Sequence, residues 1–147
     1  MKLLKTIQSD QLHAKEPVRG AASDEQIATV QKAVIESLGA ILPGEYEEFL
    51  RLSDGLDYNG LVLYGSTASP EQPDASGFWQ GLVAANQLWR ESPENSSLLI
   101  LGDSDMDLFT VDLNGGNPAR RDRVTGETVE TYPSISSMLE AALSEHL

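Results

Sequence analysis

Apolar residues recur at spacings of three and four between residues 27 and 38, where Ile27, Val30, Val34, Ile35 and Leu38 form one stripe. Ser23 and Gln26 stand before that run as an S-x-x-Q capping box, and Gly39 follows it as a stop, so the pattern predicts a helix over 24–38. Residues 42–55, LPGEYEEFLRLSDG, carry a second helical pattern. Pro43 suits a first turn, Glu45, Glu47 and Glu48 lie near the positive end of the helix dipole, and Tyr46, Phe49 and Leu50 share a face. The segment predicts an amphipathic helix of about three turns, with Glu47 facing Arg51 and a stop at Asp54-Gly55. Ahead of both, LLKTIQSDQL is a candidate short helix and AKEPVRGAAS a linker around Pro17 and Gly20. Residues 1–22 are therefore expected to be a peripheral helix and linker, and residues 23–147 the domain proper.

The period then changes. Gly60–Tyr64 reads as a short strand, and 65–77, GSTASPEQPDASG, as a polar loop. Phe78 and Trp79 open a predicted helix that runs through Leu82, Ala85 and Trp89 to Ser92-Pro93. Leu98–Leu101 is a continuous apolar run suited to a buried strand, and Asp107–Leu113 alternates with Phe109, Val111 and Leu113 on one face. Asn114–Asn117 is a turn signal, and Arg120–Val124 and Glu127–Tyr132 flank a second turn at Thr125-Gly126. Ser134 then caps a closing helix with Ile135, Met138, Leu139 and Leu143 on its apolar side. The order implies a single α+β domain, with an antiparallel sheet of about four to six strands packed against helices.

Composition narrows the class. The chain has 147 residues, 40% of them hydrophobic, enough for one self-supporting core. It has no cysteine, hence no disulfide framework and no thiolate metal site. The start, MKLLKTIQSD, lacks the apolar stretch of a signal peptide, and no run approaches the ~20 apolar residues of a membrane span. A cytoplasmic location is expected. The formal charge of −13, from 23 acids against 10 bases, disfavours nucleic acid and anionic lipid as partners and favours basic proteins. Arg120, Arg121 and Arg123 crowd one short stretch and read as a strand pairing with internal carboxylates.

Candidate chemistry is sparse. Asp103, Asp105 and Asp107 alternate like the first ligands of a calcium loop, but Leu108 stands where the loop's glycine belongs and Asn114 where its glutamate belongs. This stretch reads as a polar turn between strands. His13 and His146 have no nucleophile or ligand nearby and read as solvated. G-x-S-x-G, G-x-x-x-x-G-K-[ST] and G-x-G-x-x-G are all absent. No catalytic residue, metal or cofactor is therefore assigned, and the chain is not expected to be an enzyme. Trp79 and Trp89 read first as core anchors.

Assembled in order, these elements resemble the SUKH superfamily, which unites a fungal cell-wall synthesis regulator and killer-toxin-resistance protein with many bacterial toxin-immunity proteins. Ile27–Leu38 is similar to the family's first helix. Leu42-Pro43-Gly44-Glu45-Tyr46-Glu47-Glu48-Phe49-Leu50 is similar to its Leu-Pro-aromatic signature, and Asp54-Gly55 stands at its glycine turn. Gly60–Gly65, Val83–Asn86 with Trp89, Leu101–Ser104 with Asp107–Phe109, and Ser134–Leu143 resemble the elements that follow. The likeness spans about residues 23–143, with a basic strand at Pro118–Val124, the long loop 65–77 and Ile135 in place of the usual phenylalanine as departures. It implies an α+β fold and a non-enzymatic immunity protein that binds and neutralises a cognate toxin by direct protein contact. A basic nuclease domain is one candidate toxin, since an acidic binder mimics the charge of nucleic acid. The alternative is a regulatory scaffold for an endogenous partner, as in the fungal branch. On the immunity reading the expected partner-binding rim is Glu45, Glu47, Glu48, Asp54, Asp57, Asp103 and Asp105.

Overall fold

The computed structural model describes residues 1–16, 18–66 and 81–147. Helix α2 (Asp24–Leu38) forms as its signals require: Ser23 Oγ accepts the Gln26 N–H at 3.1 Å, and Gln26 Oε1 accepts the Ser23 N–H at 2.8 Å. Gly39, at φ +63°, closes the helix in the left-handed conformation that glycine adopts without a Cβ penalty. Ile27, Val30, Val34 and Leu38 are buried, but Ile35 is 58% exposed. Ile35 lies one position round the helix from Val34, which carries it past the edge of the stripe.

Helix α3 (Gly44–Leu50) has only seven residues, shorter than its pattern predicts. Pro43 is its extended N-cap, and at the far end the Leu52 N–H bonds the Phe49 carbonyl, a tight turn that ends the helix early. Tyr46, Phe49 and Leu50 are buried as predicted, with the Tyr46 and Phe49 rings 5.4 Å apart. Arg51 turns away from the Glu47 carboxylate and pairs with Asp24 at 2.6 Å, while Glu47 accepts from Gln31.

Helix α1 (Lys2–His13) is not peripheral. Leu4 and Ile7 lie in the core, Gln11 donates to the Asp57 carbonyl, and Tyr58 donates to Asp10 at 3.0 Å. The following segment is tied down too, with Ala22 N–H on the Leu50 carbonyl and Asp54 N–H on the Gly20 carbonyl, both at 2.8 Å. Polar Gln11 sits on the buried side with Leu4 and Ile7, which breaks the apolar repeat that would have marked the helix as a core element.

The sheet is a six-stranded antiparallel meander in chain order: β1 (Leu56–Tyr58), β2 (Leu61–Leu63), β3 (Leu98–Asp103), β4 (Asp107–Asp112), β5 (Ala119–Asp122) and β6 (Thr128–Thr131). The predicted strand at 60–64 is in fact half of a hairpin. Asn59 and Gly60 both take positive φ, +48° and +85°, the geometry in which an Asn-Gly pair joins two twisted strands. Helix α4 (Leu82–Trp89) follows Gly81, and the predicted start of this helix at Phe78 and Trp79 lies outside the described residues, as does most of loop 65–77.

Register sorts the two faces. Leu56, Leu63, Gly102, Phe109, Arg120 and Glu130 lie in one row, and Asp57, Val62, Asp103, Leu108, Arg121 and Thr128 in the next, on the opposite face. The first row is apolar up to Arg120, whose guanidinium reaches Glu145 of α5 (Ile135–Glu145) at 2.8 Å, so α5 covers that face. Where β2 ends, Asn86 of α4 continues its pairing: its amide accepts from the Ile100 N–H and donates to the Ile100 carbonyl, both at 2.8 Å. Helices α1 and α3 pack on α5, and α2 packs on α4.

A candidate protein-binding surface

The acids of α3 and the turn after it have divergent fates. Glu45 binds the N-terminus of α5, accepting from the backbone N–H groups of Ile135 and Ser136 at 3.3 and 3.2 Å and from Ser136 Oγ at 3.0 Å. The Ser136 N–H bond, above all, favours the charged form and holds this carboxyl below its ordinary pKa. Glu48 is exposed and its carboxylate meets no partner among the described residues. Asp54 is a correction to the expected rim. It is 5% exposed, pairs with Arg19 at 3.4 Å, and accepts from the Ser66 N–H and hydroxyl at 2.7 and 2.9 Å. Gly65 packs so tightly here that a Cβ on it would stand 2.7 Å from the Asp54 carbonyl. Asp54 is an interior strut that fastens the start of β1 to the segment leaving β2.

The other three acids gather at one end of the sheet. Asp57 and Asp103 are register partners on either side of Val62, two strand spacings or about 10 Å apart. Asp105, in the β3–β4 turn, lies against the β1–β2 turn, its Oδ2 3.6 Å from where a Cβ on Gly60 would sit. Asp57 and Asp105 are exposed, and their carboxylates have no partner among the described residues. Asp103 is half-buried and accepts from the Tyr64 hydroxyl and from Arg123 at 3.2 Å.

That last contact extends into a cluster absent from the sequence-based rim. Trp89 Nε1 donates to the Tyr64 hydroxyl at 2.9 Å, and the Arg123 guanidinium stands 5.1 Å over the Trp89 ring while donating to the Ser104 carbonyl at 2.8 Å. Burial, together with the Asp103 charge, pushes the Tyr64 phenol up, so it stays a neutral donor. Exposed Met106 and Val124 flank Arg123, whose N–H bonds the Met106 carbonyl. Trp, Tyr and Arg are the residue types that dominate binding hot spots. Trp89 and Arg123 are far apart in sequence, so no local pattern could announce the pair. The basic strand itself behaves as predicted: Arg120 pairs with Glu130 and Glu145, Arg121 with Asp112 and Arg123 with Asp103.

A separate groove lies between α3 and α5. Its lining includes Glu45, Glu48, Phe49, Leu52, Leu139 and Glu140, and its volume is about 120 Å³. Sites for drug-sized ligands run from roughly 300 Å³ upward, so this one is too small for them. Among the described residues no group of three or more histidines and carboxylates is placed to hold a metal, and no helix is long and apolar enough to cross a membrane. His13 and His146 each contact a carbonyl of their own helix, at 2.9 and 2.7 Å. No family model matches the chain, and no curated protein matches it.

Proposed function

We propose that the chain is a non-enzymatic immunity protein that binds a basic cognate toxin directly and neutralises it in the cytoplasm. The observation that carries this reading is the set of exposed, unpartnered carboxylates Glu48, Asp57 and Asp105 on a protein of net charge −13. The α+β meander is also the kind of fold the SUKH resemblance implies. Carboxylates of this kind steer a basic partner toward the surface and raise its association rate, while affinity comes from a desolvated centre. Half-buried Trp89 and exposed Arg123, with Met106 and Val124 beside them and the interior Tyr64 hydroxyl holding the indole, supply such a centre at the sheet end.

Co-expression with whichever flanking gene's product is toxic when expressed alone tests the reading. Growth should be restored, and the two proteins should co-purify as a stable complex. Undiminished toxicity with no complex formed would overturn the proposal.

A further inference from the structure

We infer that the groove between α3 and α5 is a socket for a single arginine side chain presented by the partner, an inference that rests on the toxin-binding reading. Three features fix the occupant. At about 120 Å³ the groove has room for one extended side chain and not for a folded element or a metabolite. Its floor is apolar, from Phe49, Leu139 and the half-exposed Leu52, and so suits a methylene stem. Its charged lining is acidic, from Glu45, Glu48 and Glu140, with Met1 and Ser136 beside them.

The three carboxylates play different parts. Glu45 is locked by the N-terminus of α5, so its position is fixed before any partner arrives. That bond also offsets the positive end of the α5 dipole, which would otherwise repel a cation. Glu48 and Glu140 are exposed and have no partner among the described residues, so their lone pairs are open to a donor. A guanidinium suits this geometry better than an ammonium: its planar fork serves two carboxylates at once, and it is more weakly hydrated, so it leaves water more readily.

The test uses N-acetyl-arginine methylamide as probe, titrated into the labelled full chain and followed by amide chemical shifts. The expected result is saturable movement of the residue 48, 52 and 140 amides. The lysine analogue should bind more weakly and the uncharged norleucine analogue not at all. The double variant Glu48→Gln/Glu140→Gln should raise the dissociation constant on the order of tenfold. Leu52→Ser should weaken binding with no change of charge, and Asp57→Asn/Asp105→Asn should leave it unaltered. These positions are exposed, and unchanged thermal melts would confirm that each variant folds. Non-saturable shifts spread equally over Asp57 and Asp105, or binding indifferent to the double variant, would overturn the socket. The probe needs no toxin, so its result stands whether or not co-expression restores growth. Failure of the socket with growth still restored would leave the immunity reading in place.

Discussion

Tyr46 shows how one residue of a sequence motif becomes tertiary structure. Its position on α3 marks it as a core residue, but its hydroxyl also reaches two backbone carbonyls, those of Tyr64 and Leu101, the latter at 3.1 Å. The side chain therefore fills the core and ties α3 to the junction of β2 and β3. Tyr46→Phe keeps the packing and removes only the donor, and should cost about 1–3 kcal/mol in urea unfolding. Tyr46→Ala should cost about 3–5 kcal/mol, and a near-neutral result would place this face outside the core. Glu45 gives a prediction in pH. Its folded pKa lies below the ordinary 4.5 because the Ser136 and Ile135 N–H groups favour the carboxylate. A group depressed by folding stabilises the protein above its unfolded pKa and loses that contribution as the pH falls through the folded value. Glu45→Gln should therefore flatten the loss of stability as the pH falls below the ordinary glutamate value, and an unaltered profile would mean the bond contributes nothing.

At the scale of elements, the legible parts are those whose cause is local. The capping box and Gly39 bound α2, and the turn glycines place the strands from β3 to β6 close to where alternation predicts them. What was hidden depends on distant partners. Asp54 looks like a surface acid next to a turn glycine, and its burial is set by Arg19 and Ser66, 35 and 12 residues away. Strand β1 leaves no alternation to read, although Asn59-Gly60 suits a hairpin, because it is only three residues long. Asn86 gives no sign in the sequence of standing in for a strand beside Ile100. Gly102 is a tight joint between β2 and β3: a Cβ there would lie 2.4 Å from the Val62 carbonyl and 2.7 Å from Leu63 Cδ2. Gly102→Ala must push β2 away from β3, and should destabilise by about 3 kcal/mol in chemical unfolding. A cost below about 0.5 kcal/mol, as at an ordinary surface site, would mean the two strands can separate freely here.

For the whole molecule, the sequence alone gave the sign and size of the charge, and the structure decides which acids are free to use it. Of the seven expected on the rim, Asp54 is interior, Glu45 and Glu47 are bonded within the fold, and Asp103 is held by Tyr64 and Arg123. That leaves Glu48, Asp57 and Asp105 as the open charges, on α3 and at the sheet end. The most direct measurement is the stopped-flow association rate of this protein with the proposed basic partner, as a function of salt, for the native chain and for Glu48→Lys/Asp57→Lys/Asp105→Lys. The native rate should fall steeply as salt rises, and the triple variant should associate at least about tenfold more slowly at low salt, with the two rates converging at high salt. A native rate indifferent to salt, or a triple variant as fast as the native chain at low salt, would contradict a surface that works by attracting a basic partner.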